Sequence, residues 1–264
     1  MSTVTMPAGW ERLSFGVPLA EGLSIQERLR QQGFGLLDAK HLFELIGASV
    51  SSCTEAMPLW SQLPEDRYLK DGGRYRSRRH GSFVQHLEAQ SGQGELEHVP
   101  HRAHWQPLTY NALHGGMLRW FEPLTDELVS LPCWQPLLSH LGRVFADVRP
   151  VKQWFIEAHQ FRIDTRDGVG RPTPEGAHRD GVDFVAVIMI GRKNIRGGET
   201  RVFEIDGQHG VRFTLAEPWS VLLMDDVRII HESTPIVPLD AQGDSWRDTL
   251  VLTYRAGGFL QPAE

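Results

Sequence analysis

The feature that most constrains the fold is a change of texture near Val148. Beyond it the chain runs as short stretches rich in Val, Ile and Phe, punctuated by Gly and Asp: Trp154–Ile163, Phe184–Ile190, Thr200–Glu204, Ser220–Met224, Arg228–His231 and Thr249–Tyr254. Runs of this length and composition, bounded by turn residues, read as strands of an all-β sandwich or barrel. Residues 148–264 are therefore expected to form a β unit, and a jelly-roll of two packed sheets is one way to close it. Residues 1–147 have a helical texture instead. Ile25, Leu29, Leu42, Leu45 and Ile46 recur at helix spacing, as do Leu118, Phe121, Leu128, Leu137, Leu138, Leu141 and Phe145; Gly33, Gly35, Pro132 and Pro136 interrupt. The expected class is mainly β with a helical amino-terminal part (α+β), the two packed as one compact unit.

Composition removes several alternatives. A chain of 264 residues, 41% hydrophobic, suits one large domain or one domain with a substantial appendage. A net charge of -6 gives no concentrated basic surface for a nucleic-acid partner. The two cysteines, Cys53 and Cys133, are too few and too far apart for a disulfide framework or a Cys-rich zinc site. Met1 to Gly9 lacks the basic-then-apolar pattern of a signal peptide, and no apolar run approaches the ~20 residues of a membrane span. The expectation is a protein of a reducing compartment, the cytoplasm, with no membrane partner.

The chemistry concentrates in three places on the β half. His178 and Asp180 are two residues apart, so in an extended segment both point to one face. His231 follows the apolar run Val221-Leu222-Leu223-Met224 and the pair Asp225-Asp226. Two imidazoles and one carboxylate on one face of a metal leave the opposite face open, which suits non-haem Fe(II). Taken singly, a His-x-Asp triplet among 12 histidines is an ordinary coincidence and a lone His is more often a satisfied core residue; the order of all three argues for a metal set. Asp225 or Asp226 would accept from an imidazole N–H or simply make the turn.

Arg247 opens the strand Thr249–Tyr254 with Thr249 on its own face, and a planar guanidinium there suits bidentate grip of a carboxylate. The plain alternative is a pair with Asp248 or Asp244, and Arg255 is the other candidate for the grip. In His159–Ile163 apolar and polar residues alternate, so Gln160 and Arg162 face away from Phe161 and Ile163, toward either a pocket or solvent. Arg162, Asp183 and the basic run Arg74 to Arg79 are the groups named for a zwitterionic substrate; for the basic run a solvated loop is the commoner fate. Glu199, after Gly197-Gly198, reads as structural.

These residues carry a resemblance. Thr173 through Asp183, with its Pro-Glu-Gly-x-His-x-Asp-Gly-Val string, resembles the 2-oxoglutarate/Fe(II)-dependent dioxygenases typified by bacterial L-isoleucine hydroxylases. So do Gly197 to Thr200, Leu223 to Asp226 with His231, Arg247 to Leu250, and in the other half Asp71 to Arg76, Gln106 to Asn111, Gly115-Gly116 and Arg119-Trp120-Phe121. The resemblance covers most of the chain. It implies a double-stranded β-helix holding Fe(II) through His178, Asp180 and His231, with Arg247 on the distal carboxylate of 2-oxoglutarate, O2 as oxidant, and hydroxylation of a small free aliphatic L-amino acid. Competing readings keep the same chemistry on a carrier-tethered intermediate, drop 2-oxoglutarate as in a cupin-like metal enzyme, or leave a β-sandwich binding module without catalysis.

Overall fold

The structure, a computed structural model, describes residues 13–15, 22–87, 95–205, 209–240 and 242–262; the stretch Met1–Gly9 lies outside them. The strands among these are β1 (Leu13–Phe15), β2 (Phe34–Leu37), β3 (Arg76–His86), β4 (Glu95–His98), β5 (Gln153–Asp164), β6 (Phe184–Lys193), β7 (Ile195–Gly197), β8 (Thr200–Glu204), β9 (Gly210–Phe213), β10 (Val221–Asp225), β11 (Ile229–Ser233), β12 (Ile236–Pro238) and β13 (Trp246–Arg255). The helices are α1 (Ile25–Gln32), α2 (Ala39–Ile46), α3 (Val50–Thr54), α4 (Asp126–Val129) and α5 (Trp134–Val148), with a 3-10 turn over Met57–Gln62. Among the described residues a large antiparallel sheet runs β2-β10-β6-β13-β5-β3-β4, a smaller one runs β1-β9-β8-β11, and β7 pairs with β12. The fold is mostly β with helices added, and each expected strand after Val148 is present, Thr200–Glu204 with the same ends and the others with one or both ends shifted.

Period-2 alternation divides the large sheet into two faces. Trp154, Ile156 and Ala158 of β5, Phe184, Ala186, Ile188 and Ile190 of β6, and Leu250, Leu252 and Tyr254 of β13 point to one side, where α5 covers them with Leu137, Leu138, Leu141, Val144 and Phe145. Phe145 stacks on Phe184 at 4.6 Å, Trp154 donates to the Gly142 carbonyl (2.8 Å) and Tyr254 to that of Leu138 (2.9 Å). Gly142 is the close-approach point, since a Cβ there would meet Gln85 Oε1 at 1.9 Å. On the opposite face Val185 and Met189 of β6 join Leu222 and Met224 of β10, Val202 of β8, Val211 and Phe213 of β9 and Ile229 of β11 in a second core that unites the two sheets.

The amino-terminal half departs from a helical texture. β2, β3 and β4 belong to the large sheet, and β3 is among its longest strands. Its sequence hides this because its alternation is Arg/Ser/Arg/Arg/His rather than apolar/polar, one face lining a polar cavity. Met117 to Phe121 is not helical either: Leu118 is exposed, Phe121 is buried, and Arg119 pairs with His104 as an isolated bridge. Pro123 cannot continue a helical hydrogen-bond ladder, and the helices of this region begin only at Asp126 and Trp134.

The alternation also corrects two pocket candidates. Gln160 is buried on the helix-covered side of β5, one residue out of phase with the cavity-lining Glu157, His159, Phe161 and Ile163. Arg162 shares its side: it opposes Asp248 in the β5–β13 register, holds it with two hydrogen bonds (2.8 and 2.6 Å), and lies 4.5 Å above the Trp246 ring. Burial pushes the Asp248 carboxyl up to about 6 despite Arg162 and Arg247. A carboxyl whose folded pKa lies above the ordinary ~3.9 contributes stability below that value, which is lost as pH rises through about 6. Arg162→Met is therefore expected to cost about 2–3 kcal/mol at pH 8, where it strands a buried carboxylate, and far less at pH 4.5, where Asp248 is protonated. Urea unfolding at the two pH values measures this, and an equal loss at both would assign the effect to packing against Trp246.

Candidate active site

The loop between β5 and β6 carries His178 and Asp180 to the middle of β11, where His178 bridges to His231. His178 and His231 exchange backbone hydrogen bonds, each N to the other's carbonyl at 3.0 Å, which sets the two rings 4.6 Å apart. Left-handed glycines at Gly176 (φ 79°) and Gly181 (φ 81°) bend the loop on either side. Between them His178 Nδ1 donates to the Gly176 carbonyl (2.9 Å); a carbonyl only accepts, so Nδ1 carries a proton and Nε2 is the nitrogen that can ligate a metal. That atom lies 3.8 Å from Asp180 Oδ1, and His231 Nε2 lies 3.9 Å from Asp180 Oδ2. The donor atoms of His178, Asp180 and His231 all fall within 4.8 Å of one another, so the three can hold one metal ion.

The anchor of this loop is Asp226. Its carboxylate accepts from the backbone N–H of Asp180 (2.9 Å), Gly181 (2.8 Å) and Val182 (3.1 Å), and its carbonyl accepts from Arg179 Nε. Neither Asp225 nor Asp226 meets an imidazole: Asp225 receives Arg149 and closes the turn onto the Val227 N–H. Asp183, a substrate candidate from sequence, is bound to the same Arg149 (2.7 Å) and accepts from the Ala256 N–H, outside the cavity. Its side chain is spent on tying the loop to α5 and β13.

Burial sets the protonation of the group. It depresses His231 well below the ordinary histidine value, with His178 adding to the effect, so His231 is neutral and ready to ligate. Burial opposes charge on His178 too, but Asp180 and Glu175 outweigh it and hold that imidazole above its usual value. Burial raises Asp180, against the pull of His178. A divalent cation resolves all three at once, replacing the proton the carboxylate and imidazole would share.

Residues 57–253 match the family model described as 2OG-Fe dioxygenase. The chain belongs to this family. A crystal structure of a bsmA homolog from Methylobium petroleophilum is 59% identical, with 90% of this chain and 94% of that one covered at a TM-score of 0.86. The fold is shared more distantly with IDO from Bacillus thuringiensis (16% identity, 89% and 98% covered, TM-score 0.70) and the Fe(II)/(alpha)ketoglutarate-dependent dioxygenase TqaL (20%, 87% and 85%, 0.65). No curated protein matches the chain. As a 2OG-Fe dioxygenase it is an oxidoreductase that uses Fe(II), 2-oxoglutarate and O2. The donor set fits ferrous iron: two neutral-capable imidazoles and one carboxylate, with the rest of the cavity open beside them.

That cavity, about 120 Å³, lies between the two sheets. β13 presents Arg247, Thr249, Val251 and Thr253 to it in strict alternation. Arg247 is 4% exposed, and its Nε has no hydrogen-bond partner. Asp248, one of the partners expected for it, is held by Arg162; burial, then Arg192, lowers the guanidinium to about 10. Arg255 binds the Gly258 carbonyl at the strand's far end and does not reach the cavity.

The opposite end holds residues that the sequence reading missed or misplaced. Arg76 and Arg78 of the basic run are buried, not solvated; alternation on β3 turns both inward, while Arg74 and Arg79 stay outside on Glu65 and the Pro123 carbonyl. Behind Arg78 sits a second imidazole–carboxylate cluster, His80, His104, Glu157 and His159. Glu157 accepts from His80 (3.0 Å), His104 (3.2 Å) and Arg102 (3.2 Å). Burial works against its charge, but His104 and His80 hold the carboxyl well below its usual range. Burial brings His104 down to about 4, so these are neutral donors. Arg78 donates to His159 Nδ1 at 2.7 Å and is stacked between Phe121 (3.7 Å) and Phe161 (4.3 Å). Two guanidiniums thus already engage atoms of the cluster, Arg78 on His159 Nδ1 and Arg102 on Glu157 Oε1, and the cluster buttresses Arg78. The clue in sequence was the i, i+2 pair Glu157/His159, in phase with Phe161.

The dependence of the loop on Asp226 is testable. Asp226→Ala removes three amide acceptors while leaving every donor side chain in place. Its affinity for Mn(II), titrated by calorimetry, is expected to fall about 10- to 100-fold with helix and strand content unchanged. Unaltered metal affinity would show that the His178–His231 backbone pair alone shapes the site.

Proposed function

We propose that the protein hydroxylates an unactivated C–H of a small free L-amino acid with an aliphatic side chain, releasing succinate and CO2, on a core of the double-stranded β-helix type. In this reading His178, Asp180 and His231 hold the iron, and Arg247 with Thr249 receives the distal carboxylate of 2-oxoglutarate. The observation that carries it is the make-up of one cavity. Phe161, Ile163, Val182, Val187, Val251 and Leu260 give apolar wall, and Arg78, Arg119, Gln106, Asn111 and Glu175 give polar wall, all within reach of the same small volume as the donor set. Apolar wall suits an aliphatic side chain, and charged wall suits a zwitterionic head. Both free cysteines are buried and unpaired with each other by any disulfide, in keeping with a reducing compartment such as the cytoplasm, where ferrous iron persists. Among the described residues no helix is long and apolar enough to cross a membrane.

Iron, 2-oxoglutarate and O2 supply the oxidising power; the chain's own residues supply position and dryness. The Arg247 guanidinium has lost its solvent and gained no carboxylate, so it is prepared for one. Gln106 links the polar wall to the donor set, its amide reaching the Asp180 carbonyl (3.3 Å) while its own oxygen takes Arg119 (2.9 Å) and Asn111 (3.3 Å). An occupied polar wall thereby bears on the loop that carries Asp180. Which C–H is attacked follows from how the side chain lies against the apolar wall, since reaction needs near contact.

Two measurements test this. Arg247→Met is expected to weaken 2-oxoglutarate binding about 10- to 100-fold, with metal content unchanged; an unaltered affinity would move the role off this residue. Incubation of the iron-loaded protein with 2-oxoglutarate, O2 and each of the twenty amino acids is expected to add one oxygen, by mass, to several among leucine, isoleucine and methionine. Tolerance is expected because a methylene is worth only about 1–3 kcal/mol of discrimination. Turnover of an N-acylated or carrier-bound amino acid, with none of the free form, would overturn the free-amino-acid reading in favour of a tethered substrate.

A further inference from the structure

Most charges around the cavity are accounted for. Arg76 is met by Asp66 at 2.7 Å, Arg102 by Glu157, and Arg162 and Arg149 by carboxylates outside the cavity. Besides Arg247, already assigned to 2-oxoglutarate, three lining groups are left over. Arg78 is 4% exposed and Arg119 2%; the Nε of each is buried without a hydrogen-bond partner. The acceptors they do have are neutral, His159 Nδ1 and Gln106 Oε1. Burial lowers Arg119 to about 10, Arg76 adding to it, while Asp66 and Glu175 pull the other way. Glu175 is the third: its Oε2 is buried and unpartnered, and its Oε1 faces His178 Nε2 at 3.5 Å without joining the donor group that can hold the metal. Buried charges without hydrogen-bonded counterions are costly, so a ligand that supplies both signs is favoured there.

We propose that Arg78 and Arg119 receive the α-carboxylate of the substrate and Glu175 its α-ammonium, forming one head-group subsite beside the metal. The assignment rests on the amino-acid reading above and adds which side chains recognise the invariant part of the molecule. Arg78 is clamped between two aromatic rings and Arg119 is held by Gln106, so neither must be ordered on binding. Glu175 stands three residues before His178, on the loop that Gly176 bends. The subsite therefore fixes the head group by contacts from both halves of the chain and leaves the side chain to the apolar wall.

The test is a calorimetric cycle on protein loaded with Mn(II) and 2-oxoglutarate without oxygen. The probes are the tightest-binding of L-leucine, L-isoleucine and L-methionine, its analogue lacking the amine, and its carboxamide. Glu175→Gln is expected to weaken the amino acid about 10- to 100-fold and leave the deamino analogue unchanged. Arg119→Met and Arg78→Met are expected to weaken the amino acid and the deamino analogue by a similar factor and to leave the carboxamide unchanged. Metal and 2-oxoglutarate affinities should be retained in all three. Should Arg78→Met lose both, Arg119→Met and Glu175→Gln decide alone. Equal weakening of every probe by a variant would show a merely structural role, and loss of metal affinity in Glu175→Gln would place that carboxylate at the metal; either overturns the assignment. If the unmodified protein binds none of the three amino acids but binds a carrier-bound one, the amino-acid reading fails and this subsite with it. Binding of the free amino acid with no selectivity in the cycle fails the subsite only.

Discussion

The site depends on one carboxylate. Asp226 accepts three consecutive backbone amides, from Asp180 to Val182, at a point where the chain has left its sheet and has no ladder to satisfy them. Buried amides without acceptors are expensive, so this single side chain decides whether the loop closes over β11. Closure brings His178 against His231, backbone to backbone, and with it the three donor atoms into one small volume. Burial raises Asp226 itself to about 7, Asp180 adding to the rise and the three amides opposing it. The loop, and not either strand, is the fragile element of the metal site.

The large sheet works as a partition. One face is sealed by α5 and the aromatic set Phe145, Trp154, Phe184 and Tyr254; the other carries almost every polar group of the cavity. Alternation gives β3, β5 and β13 a cavity-facing row that carries the functional side chains, while the same face of β6 and β10 packs into the second core. β5 shows both faces: Trp154, Ile156 and Ala158 on one side, Glu157, His159 and Phe161 on the other. β3 supplies Arg76 and Arg78 by the same rule. Charge is kept in this interior by layered contacts, an imidazole–carboxylate cluster behind and aromatic faces alongside, which explains how a chain of net charge -6 hides so many guanidiniums.

Much of the fold and the metal site was legible in the sequence. The strands after Val148 announced themselves by β-branched and aromatic runs between turn residues, because their apolar rows pack on both a helix layer and a second sheet. His178, Asp180 and His231 stood out because a metal set needs particular residue types at short, directional spacing, and Arg247 because it heads a strand whose alternate residues share a face. The family resemblance rested on these strings, and the match over residues 57–253 bears out the 2OG-Fe dioxygenase family, though not the hydroxylase subtype.

What the sequence left open turned on phase and partnership, which are tertiary quantities. Alternation in His159–Ile163 says that Gln160 and Arg162 share a side but not which side meets the cavity; the helix layer took it. Arg162 and Asp183 looked available until Asp248 and Arg149, 86 and 34 residues away, were brought to them. The basic run at Arg74 to Arg79 read as surface because nothing local says that β3 pairs with β5, and only that pairing turns Arg76 and Arg78 inward. The sequence by itself determined which residues can do chemistry and on which strands they ride. The tertiary structure decided which of them are left without partners, since a charge's neighbours are set by sheet order and not by spacing along the chain.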